Sequence, residues 1–473
     1  MDGGAPGMKS RKLDVLFIHV GRRSADHCDT LIMPVGLVML ADHLERHGLA
    51  AGVLNLSVEL LENPRFNVER FIERCGPGVL AFPLHWHSQL KDALACLARL
   101  KRRFPQKTTV AGGFSASLFF RDILALPGAP DFIIRGDAEK PLLALCRSLL
   151  RGVPGLARVP NLAWRRQDGT VEATPQSYVA TGRDLSGLSY ANLDLILNKE
   201  NVMKYSDEQE APLRRRPGER PPDCGKVFYV AGRGCANECS FCGGASGTQA
   251  LANGRRGAIY KPAGTVVKDL RLLLAAGVRK VHFAFDPLPR AGYYPDLFSR
   301  LRRAGLRFKA TFEAFGLPTE RFLRAYAEAL PGSRVIVSPE SGSERVRRLN
   351  RCDFYKNPDL LSRLALMKSL GLEHTVCFSV GLPFETRRDF LATLRLAGKV
   401  KKLCPKGEVF MSPIQLEPFS PLYRTPQKYG ASLDWTSLKD FLEQKPRTLG
   451  YSAGLMGERE VWGKAALFNR AMR

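Results

Sequence analysis

Short apolar runs alternate along this chain with longer segments in which apolar residues recur every three or four positions. Residues 13–20, Leu-Asp-Val-Leu-Phe-Ile-His-Val, are short, apolar and β-branched, and predict a buried strand. A helix is predicted over 34–47, with Leu37, Leu40, Ala41 and Leu44 on one face and Gly48 ending it. Strands are predicted at 51–56, 78–83, 108–111 and 131–135, and helices at about 88–104, 116–124 and 141–150. Strands that alternate with helices in this way predict a doubly wound parallel sheet, whose ligands bind at the carboxyl ends of the strands.

The next stretch, 151–225, has the character of a connector. Residues 160–174 predict a hairpin around Asp168-Gly169. Residues 207–223, rich in proline, arginine and acidic residues, predict an exposed loop. A second alternation starts at 227. Its strands are predicted at 227–231, 280–285, 308–312, 334–337, 375–380 and 408–414, and its helices at 263–276, 297–305, 321–330, 358–371 and 389–403. The expected division is 1–150, 151–225, 226–425 and a C-terminal extension 426–473 that packs on the barrel and contains Trp435 and Trp462.

Composition narrows the class. A chain of 473 residues is long for one domain, and 45% hydrophobic content is ordinary for a globular protein. No apolar run is long enough to cross a bilayer, and residues 1–8 show no basic region followed by an apolar core, so no signal peptide is expected. Eleven cysteines are too few and scattered for a disulfide scaffold and imply a reducing, cytoplasmic setting. The net charge of +25 raises the question of a nucleic-acid partner. The basic residues are dispersed, apart from arginines 214–216 and a cluster at 345–351. Nucleic acid is therefore not the expected partner, and attraction of an anionic substrate is a minor alternative.

The chemistry is concentrated in Gly234-Cys235-Ala-Asn-Glu-Cys239-Ser-Phe-Cys242-Gly-Gly244. Three thiolates spaced C-x3-C-x2-C can hold three irons of a [4Fe–4S] cube and leave the fourth open. A zinc ribbon would need a fourth ligand, and no cysteine or histidine follows until His282. The other cysteines, Cys352 and Cys377 among them, read as small buried hydrophobes or bystanders. The spacing, with Phe241 before the last cysteine, resembles the cluster motif of the radical S-adenosylmethionine (SAM) superfamily, in which the open iron chelates the amino and carboxylate groups of SAM. The six β/α units match that family's partial (β/α)6 barrel, whose catalytic groups sit at the carboxyl ends of the strands.

The strand ends carry further resemblance. Phe285-Asp286-Pro287 stands where the family often has a Gly-Gly-Glu turn. Ser338-Pro-Glu340-Ser falls where residues contact the ribose and methionine parts of SAM. Gly381-Leu-Pro-Phe-Glu385-Thr resembles a segment near the adenine, and Glu417-Pro-Phe-Ser-Pro-Leu422 a terminal P-x-S-P-L segment. The resemblance implies SAM contacts at Gly243, Asp286, Ser338, Glu340 and Glu385. Glu313, after the third strand, is expected to face the barrel interior and to bind SAM or substrate. Tyr355, with Tyr293 and Tyr294, is a candidate for substrate or radical control, packing being the alternative.

The N-terminal half resembles the cobalamin-binding domain that precedes the radical module in B12-dependent members. The matching pieces are Pro34-Val-Gly36-Leu-Val-Met-Leu40-Ala, the Val110-Ala-Gly112-Gly113 turn and Asp131-Phe-Ile-Ile-Arg135-Gly136-Asp137-Ala-Glu139. Gly112, Gly113 and Ser115 are the expected contacts for the B12 tail, since a turn without side chains lets a large ligand pass over the backbone. The D-x-H-x-x-G motif that supplies a cobalt ligand is absent, because Asp26 and His27 are adjacent. Trp86, in the loop 84–88, is expected either to stack under the corrin or to serve as an interface aromatic.

Together these features imply a cobalamin-dependent radical SAM enzyme with a [4Fe–4S] cluster on Cys235, Cys239 and Cys242. The expected activity is transfer of a methyl group from SAM through methylcobalamin to a carbon of a small-molecule, lipid or peptide substrate, with flavodoxin or ferredoxin as electron donor. Short motifs, including the Cys-Gly-Gly after the cluster, resemble a subgroup containing a tryptophan C-methylating enzyme, in which SAM need not be cleaved to a radical. Three alternatives stay open: a rearrangement or cyclisation with the same cofactors, modification of tRNA, and a non-catalytic cobalamin or iron–sulfur sensor.

Overall fold

The computed structural model describes residues 11–23, 27–29, 32, 35–152, 155–206, 210–212, 225–286, 292–352, 354–445, 447–453 and 456–472. Residues 1–8, Asp26, Pro34, the arginines 214–216, most of the loop 207–223, Cys224 and Pro287 lie outside these. The chain divides into two compact units. One covers residues up to 227 with 251–254 and 272–278; the other covers the remainder of 228–473.

The first unit is built on five parallel strands: β1 (Val15–His19), β2 (Ala51–Asn55), β3 (Val79–Pro83), β4 (Thr108–Gly112) and β5 (Phe132–Ile134). Their order in the sheet is β2-β1-β3-β4-β5. This is the doubly wound arrangement, and its crossover reversal falls between β1 and β3. β1, β2 and β3 are buried along their whole length, as strands covered on both faces must be. The connector does not run free. Its hairpin, β6 (Leu162–Arg165) and β7 (Val171–Ala173), extends the same sheet, with β6 antiparallel to β5. Two helices, Leu56–Glu62 and Val68–Cys75, escape the apolar pattern because each is short and each is started by an asparagine cap, Asn55 and Asn67.

The second unit holds six strands in sequential order: β8 (Lys226–Tyr229), β11 (Lys280–Asp286), β12 (Lys309–Ala314), β13 (Arg334–Glu340), β14 (Glu373–Val380) and β15 (Glu408–Pro413). Between the first two lies a small antiparallel ribbon, β9 (Gly232–Cys235) and β10 (Gly257–Tyr260). Several strands of the sheet alternate between buried and more exposed positions. In β13, Val335, Val337 and Pro339 are buried while Ile336, Ser338 and Glu340 are half-buried. The apolar positions feed a core of Phe283, Tyr294, Phe298, Phe312, Phe322 and Tyr326, in which Phe312 meets Tyr294, Phe322 and Tyr326 edge to face and Phe283 at a tilt. The other positions form the concave face. The register shifts between Phe283 and Asp286 and again between Val337 and Glu340. Both irregularities lie at carboxyl ends, where a bulge re-aims side chains.

The C-terminal helix Glu458–Ala471 closes the edge of this sheet. Asn469 donates to the Met411 carbonyl and accepts from the Met411 amide, and Phe468 packs on Phe378. An edge strand covered in this way cannot recruit another strand. No helix among the described residues is long and apolar enough to cross a membrane.

The basic cluster at 345–351 is split, with Arg347 and Arg351 buried and Arg345 and Arg348 exposed. Arg347 is fully buried and donates to the carbonyls of Pro339, Ser341 and Tyr355 and to Asn357. Arg345 pairs with Asp389, and Arg348 covers Phe354. Removing the Arg347 side chain strips buried carbonyls of their donors. Arg347→Ala is expected to cost about 3 kcal/mol, read as a lower urea midpoint, whereas Arg348→Ala should stay within about 0.5 kcal/mol of the parent.

Candidate active site

Cys235 ends the β9 ribbon, and Cys239 and Cys242 follow in the loop it releases. The ribbon brings that loop over the concave face. Gly234 has a φ of +87°, and a Cβ there would run into the Gly257 carbonyl, so only glycine permits the turn into Cys235. The three thiols are close enough to feel one another electrostatically. Burial, the main cause for each, raises the pKa of all three, to about 11 for Cys239 and about 12 for Cys242. Backbone amides point at two of the sulfurs, Asn237 N at Cys235 Sγ (3.4 Å) and Gly244 N at Cys242 Sγ (3.3 Å). A single zinc would draw its sulfurs to about 2.3 Å, and among the described residues no three His, Cys, Asp or Glu side chains gather in that way. Three separated thiols with amides aimed at them fit a cluster that takes one thiolate on each of three irons.

The cluster loop rests on residues 350–352. Ser240 donates through its amide and its hydroxyl to Asn350 (2.9 and 2.6 Å), and Glu238 N donates to Cys352 Sγ (3.0 Å). The Cys352 amide in turn serves Cys239. Cys352, read from the sequence as a bystander, is therefore part of the loop's support. Nothing local marks it, because it lies 110 residues beyond Cys242 and meets the loop only through the fold.

The strand-end residues separate into distinct groups. Glu340 has a φ of +62°, an uncommon conformation for a side-chain residue, and its carboxylate is held by Arg351 (2.9 Å) and Ser379 (2.5 Å). Burial raises its pKa, against the pull of Arg351. Ser338 gives its carbonyl to Arg351, and its hydroxyl lies against Cys377. Gly243 is required by close approach, since a Cβ there would stand 3.1 Å from the Glu417 side chain. Glu385 is buried and accepts from Gly381 N (2.7 Å), so it shapes the turn after β14. Burial lifts its pKa to about 7. Asp286 closes β11 opposite Ala314 in β12, and its side chain lies outside the described residues. Glu313 faces the concave side, 3.5 Å from His282 Nε2.

The tyrosines go to packing. Tyr355 is buried with its ring under the Arg347 guanidinium (4.7 Å), and Tyr294 sits in the aromatic core. Tyr293 donates to the Lys261 carbonyl.

In the first unit, Gly112 and Gly113 end β4 at the carboxyl edge of the sheet. Gly113 has a φ of +111°, and a Cβ there would meet the Leu84 carbonyl at 3.0 Å. A Cβ on Gly112 would meet only the Ile134 carbonyl, at 3.5 Å. Gly113 is thus demanded by the fold, whereas Gly112 leaves a bare backbone. Ser115 donates through its amide and its hydroxyl to the His85 carbonyl, which ties the loop 84–88 to this turn. The Trp86 ring stands edge-on to His85 (5.0 Å) and to His19 (6.5 Å). The edge of His85 meets solvent, yet the crowding of protein around it pushes its pKa down to about 4, so it is neutral at physiological pH.

Residues 229–397 match the Radical SAM superfamily. The fold and its cysteine loop thus define a radical SAM domain joined to a doubly wound α/β domain. Across 98% of this chain and 89% of the other, the structure superposes on the radical S-adenosylmethionine methyltransferase TsrM from Kitasatospora setae, solved with cobalamin and a [4Fe-4S] cluster bound, with a TM-score of 0.69 at 16% identity. It also superposes on the cobalamin-dependent S-adenosylmethionine radical enzyme OxsB with aqua-cobalamin bound, with a TM-score of 0.65 at 14% identity over 96% of this chain and 66% of that one. In sequence the chain is 28% identical over 212 residues to the hopanoid C-3 methylase of Methylococcus capsulatus, 44% of this chain and 35% of that protein. Alignments to the curated relatives thus span about two-fifths or less of those proteins' lengths.

Replacing Cys235, Cys239 or Cys242 by Ala is expected to abolish the brown iron–sulfur absorbance, whereas Cys352→Ala should keep about four irons per chain. Retention of a full cluster in any of the first three would break the ligand assignment. Glu385 supplies a pH test. Its folded pKa of about 7 lies above the ordinary carboxyl value of 4.5, so ionising it opposes folding, and stability should fall as pH rises from about 4.5 through 7. Glu385→Gln should flatten that part of the stability profile, measured by urea unfolding at a series of pH values.

Proposed function

We propose that this chain is a cobalamin-dependent radical SAM methyltransferase that moves a methyl group from SAM, by way of cobalamin, to a carbon of a small-molecule, lipid or peptide substrate. The observation that carries this reading is the pairing, in one chain, of a buried three-thiol loop in a six-stranded barrel with a doubly wound domain whose Gly112 turn presents bare backbone. When bound, the cluster supplies an electron to SAM and cobalamin carries the methyl group.

The chain's own residues have the following parts. Cys235, Cys239 and Cys242 hold the cluster, and the amides of Asn237 and Gly244 stabilise thiolate charge on two of them. Gly243 keeps the Glu417 segment against the loop. Ser338 and Glu340 stand at the carboxyl end of β13 as polar contacts for SAM, and Asp286 holds the matching place on β11. Glu385 acts at one remove, by fixing the turn at Gly381. In the first unit, Gly112 leaves room for the cobalamin tail and Gly113 with Ser115 holds the loop that carries Trp86. Trp86 is the candidate to cover the lower face of the corrin and keep water from cobalt. An electron donor such as flavodoxin or ferredoxin and a reducing, cytoplasmic setting complete the reading.

The deciding experiment is anaerobic purification with added hydroxocobalamin, followed by iron, sulfide and cobalt counts on one sample. About four irons and one cobalt per chain are expected. Gly112→Leu should lower the cobalt count and leave iron unchanged, because its Cβ meets no side chain of the protein. Iron without cobalt in the parent protein would overturn the cobalamin assignment.

A further inference from the structure

Parallel register places Glu313, Ile336, Thr375 and Glu408 side by side in one row of the barrel sheet, with Thr311, Arg334 and Glu373 in the row beneath. His282 pairs with Thr311 and so belongs to the lower row, diagonal to Glu313. Four carboxylates on this concave face invite comparison. Glu340 is neutralised by the buried Arg351, and Glu373 and Glu408 by Arg334 at 2.8 and 2.6 Å. Among the described residues Glu313 has no lysine or arginine within ion-pair distance. The His282 imidazole lies 3.5 Å from it, and 39% of its side chain remains exposed. In a chain of net charge +25, a carboxylate inside the barrel with no cationic partner among the described residues stands out.

The histidine is a second, independent sign. The His282 side chain is nine-tenths buried, stacked on Phe228 at 4.6 Å, and neither ring nitrogen has a hydrogen-bond partner. Buried polar atoms are ordinarily satisfied, and an exception calls for a missing partner. Apolar patches adjoin the carboxylate, with Phe228 and Ile336 beside it and the exposed Phe410 further along the same face, set among the polar Thr311, Ser338 and Thr375. Cys377, which is hydrogen-bonded to Ser338, extends this surface toward the carboxyl ends and feels the Glu313 charge.

We infer that Glu313, backed by His282, is the recognition point for a nitrogen-borne hydrogen-bond donor, an ammonium or a ring N–H, on a substrate with an apolar body. A carboxylate without a cation gains a charge-assisted bond from such a group and gains nothing from a carboxylate or phosphate. His282 is a positioning residue here: Phe228 fixes its ring, and its Nε2 stands 3.5 Å from one Glu313 carboxylate oxygen, close enough for a ligand to complete both. The inference deepens the enzymatic reading above by naming the substrate's chemical class, and it rests on that reading for the substrate's entry into the barrel.

The test uses the full chain and three probes of one shape, phenethylammonium, 2-phenylethanol and phenylacetate, titrated by calorimetry. Phenethylammonium is expected to bind saturably and at least ~10-fold more tightly than the alcohol, with phenylacetate weakest. Glu313→Gln, which keeps the shape, should erase that preference, and Glu313→Asp should restore part of it. Equal binding of the amine and the alcohol, or an unchanged preference in Glu313→Gln, would overturn the assignment. So would a result in which SAM displaces the amine and Glu313→Gln weakens SAM to the same degree, since the carboxylate would then belong to SAM. The same titration on Cys239→Ala protein, which lacks the cluster, separates the two claims: iron counts judge the enzymatic reading, and amine selectivity judges Glu313.

Discussion

The second unit depends on the set of hydrogen bonds made by residues 347–352. Arg347 gathers three carbonyls around the end of β13, and Arg351 reaches the carbonyls of Ser338 and Phe315 together with the Glu340 carboxylate. Asn350 accepts from Ser240 and donates to the Pro383 carbonyl after β14. One short segment therefore joins the cluster loop to the ends of three successive strands. Buried guanidinium groups are costly unless every donor is used. Here that cost confers specificity, because few alternative packings would supply so many carbonyl acceptors in one place.

This constraint explains why the cluster loop needs little structure of its own. Within the loop from Cys235 to Cys242 the bonds are few, among them Cys242 N to Cys239 O and Asn237 N to Cys235 Sγ. Its shape comes from outside: Asn350 and Cys352 on one side, and on the other Leu422 N, which donates to the Ser240 carbonyl. Arg424 pairs with Glu238 from the same direction. Thiols held in this way, buried and directed by amides, are prepared for irons and poorly suited to chance disulfide chemistry. The Glu340 backbone, held at positive φ, shows where strain is spent, at the strand end that faces the chemistry.

The fold was legible because each strand carries its own signal. All six barrel strands and all five parallel strands of the first unit fall within a few residues of the apolar runs that predict them. The elements that were missed are of two kinds. Short capped helices such as Glu344–Asn350 are too brief to show a period, and their caps, here Ser343, are the only local sign. The hairpin 162–173 was legible as a hairpin, but not as the continuation of the first sheet, because strand pairing at a distance leaves no trace in local pattern.

The sequence by itself determined the cysteine spacing, the alternation of strands and helices, the Gly112-Gly113 turn and the positions of the strand ends. These are local properties, set by residue type and by periods of two and 3.6. Tertiary structure decided which of the strand-end carboxylates remain free. Glu340, Glu385 and Glu313 look alike in the chain. Arg351, 11 residues beyond, neutralises the first; the Gly381 amide occupies the second; and the third is left with His282 from a neighbouring strand. The same folding brought Cys352 under the cluster loop and drew Arg347 and Arg351 inward. Partners of this sort are fixed by which strands lie side by side and in what register, and no local pattern encodes that.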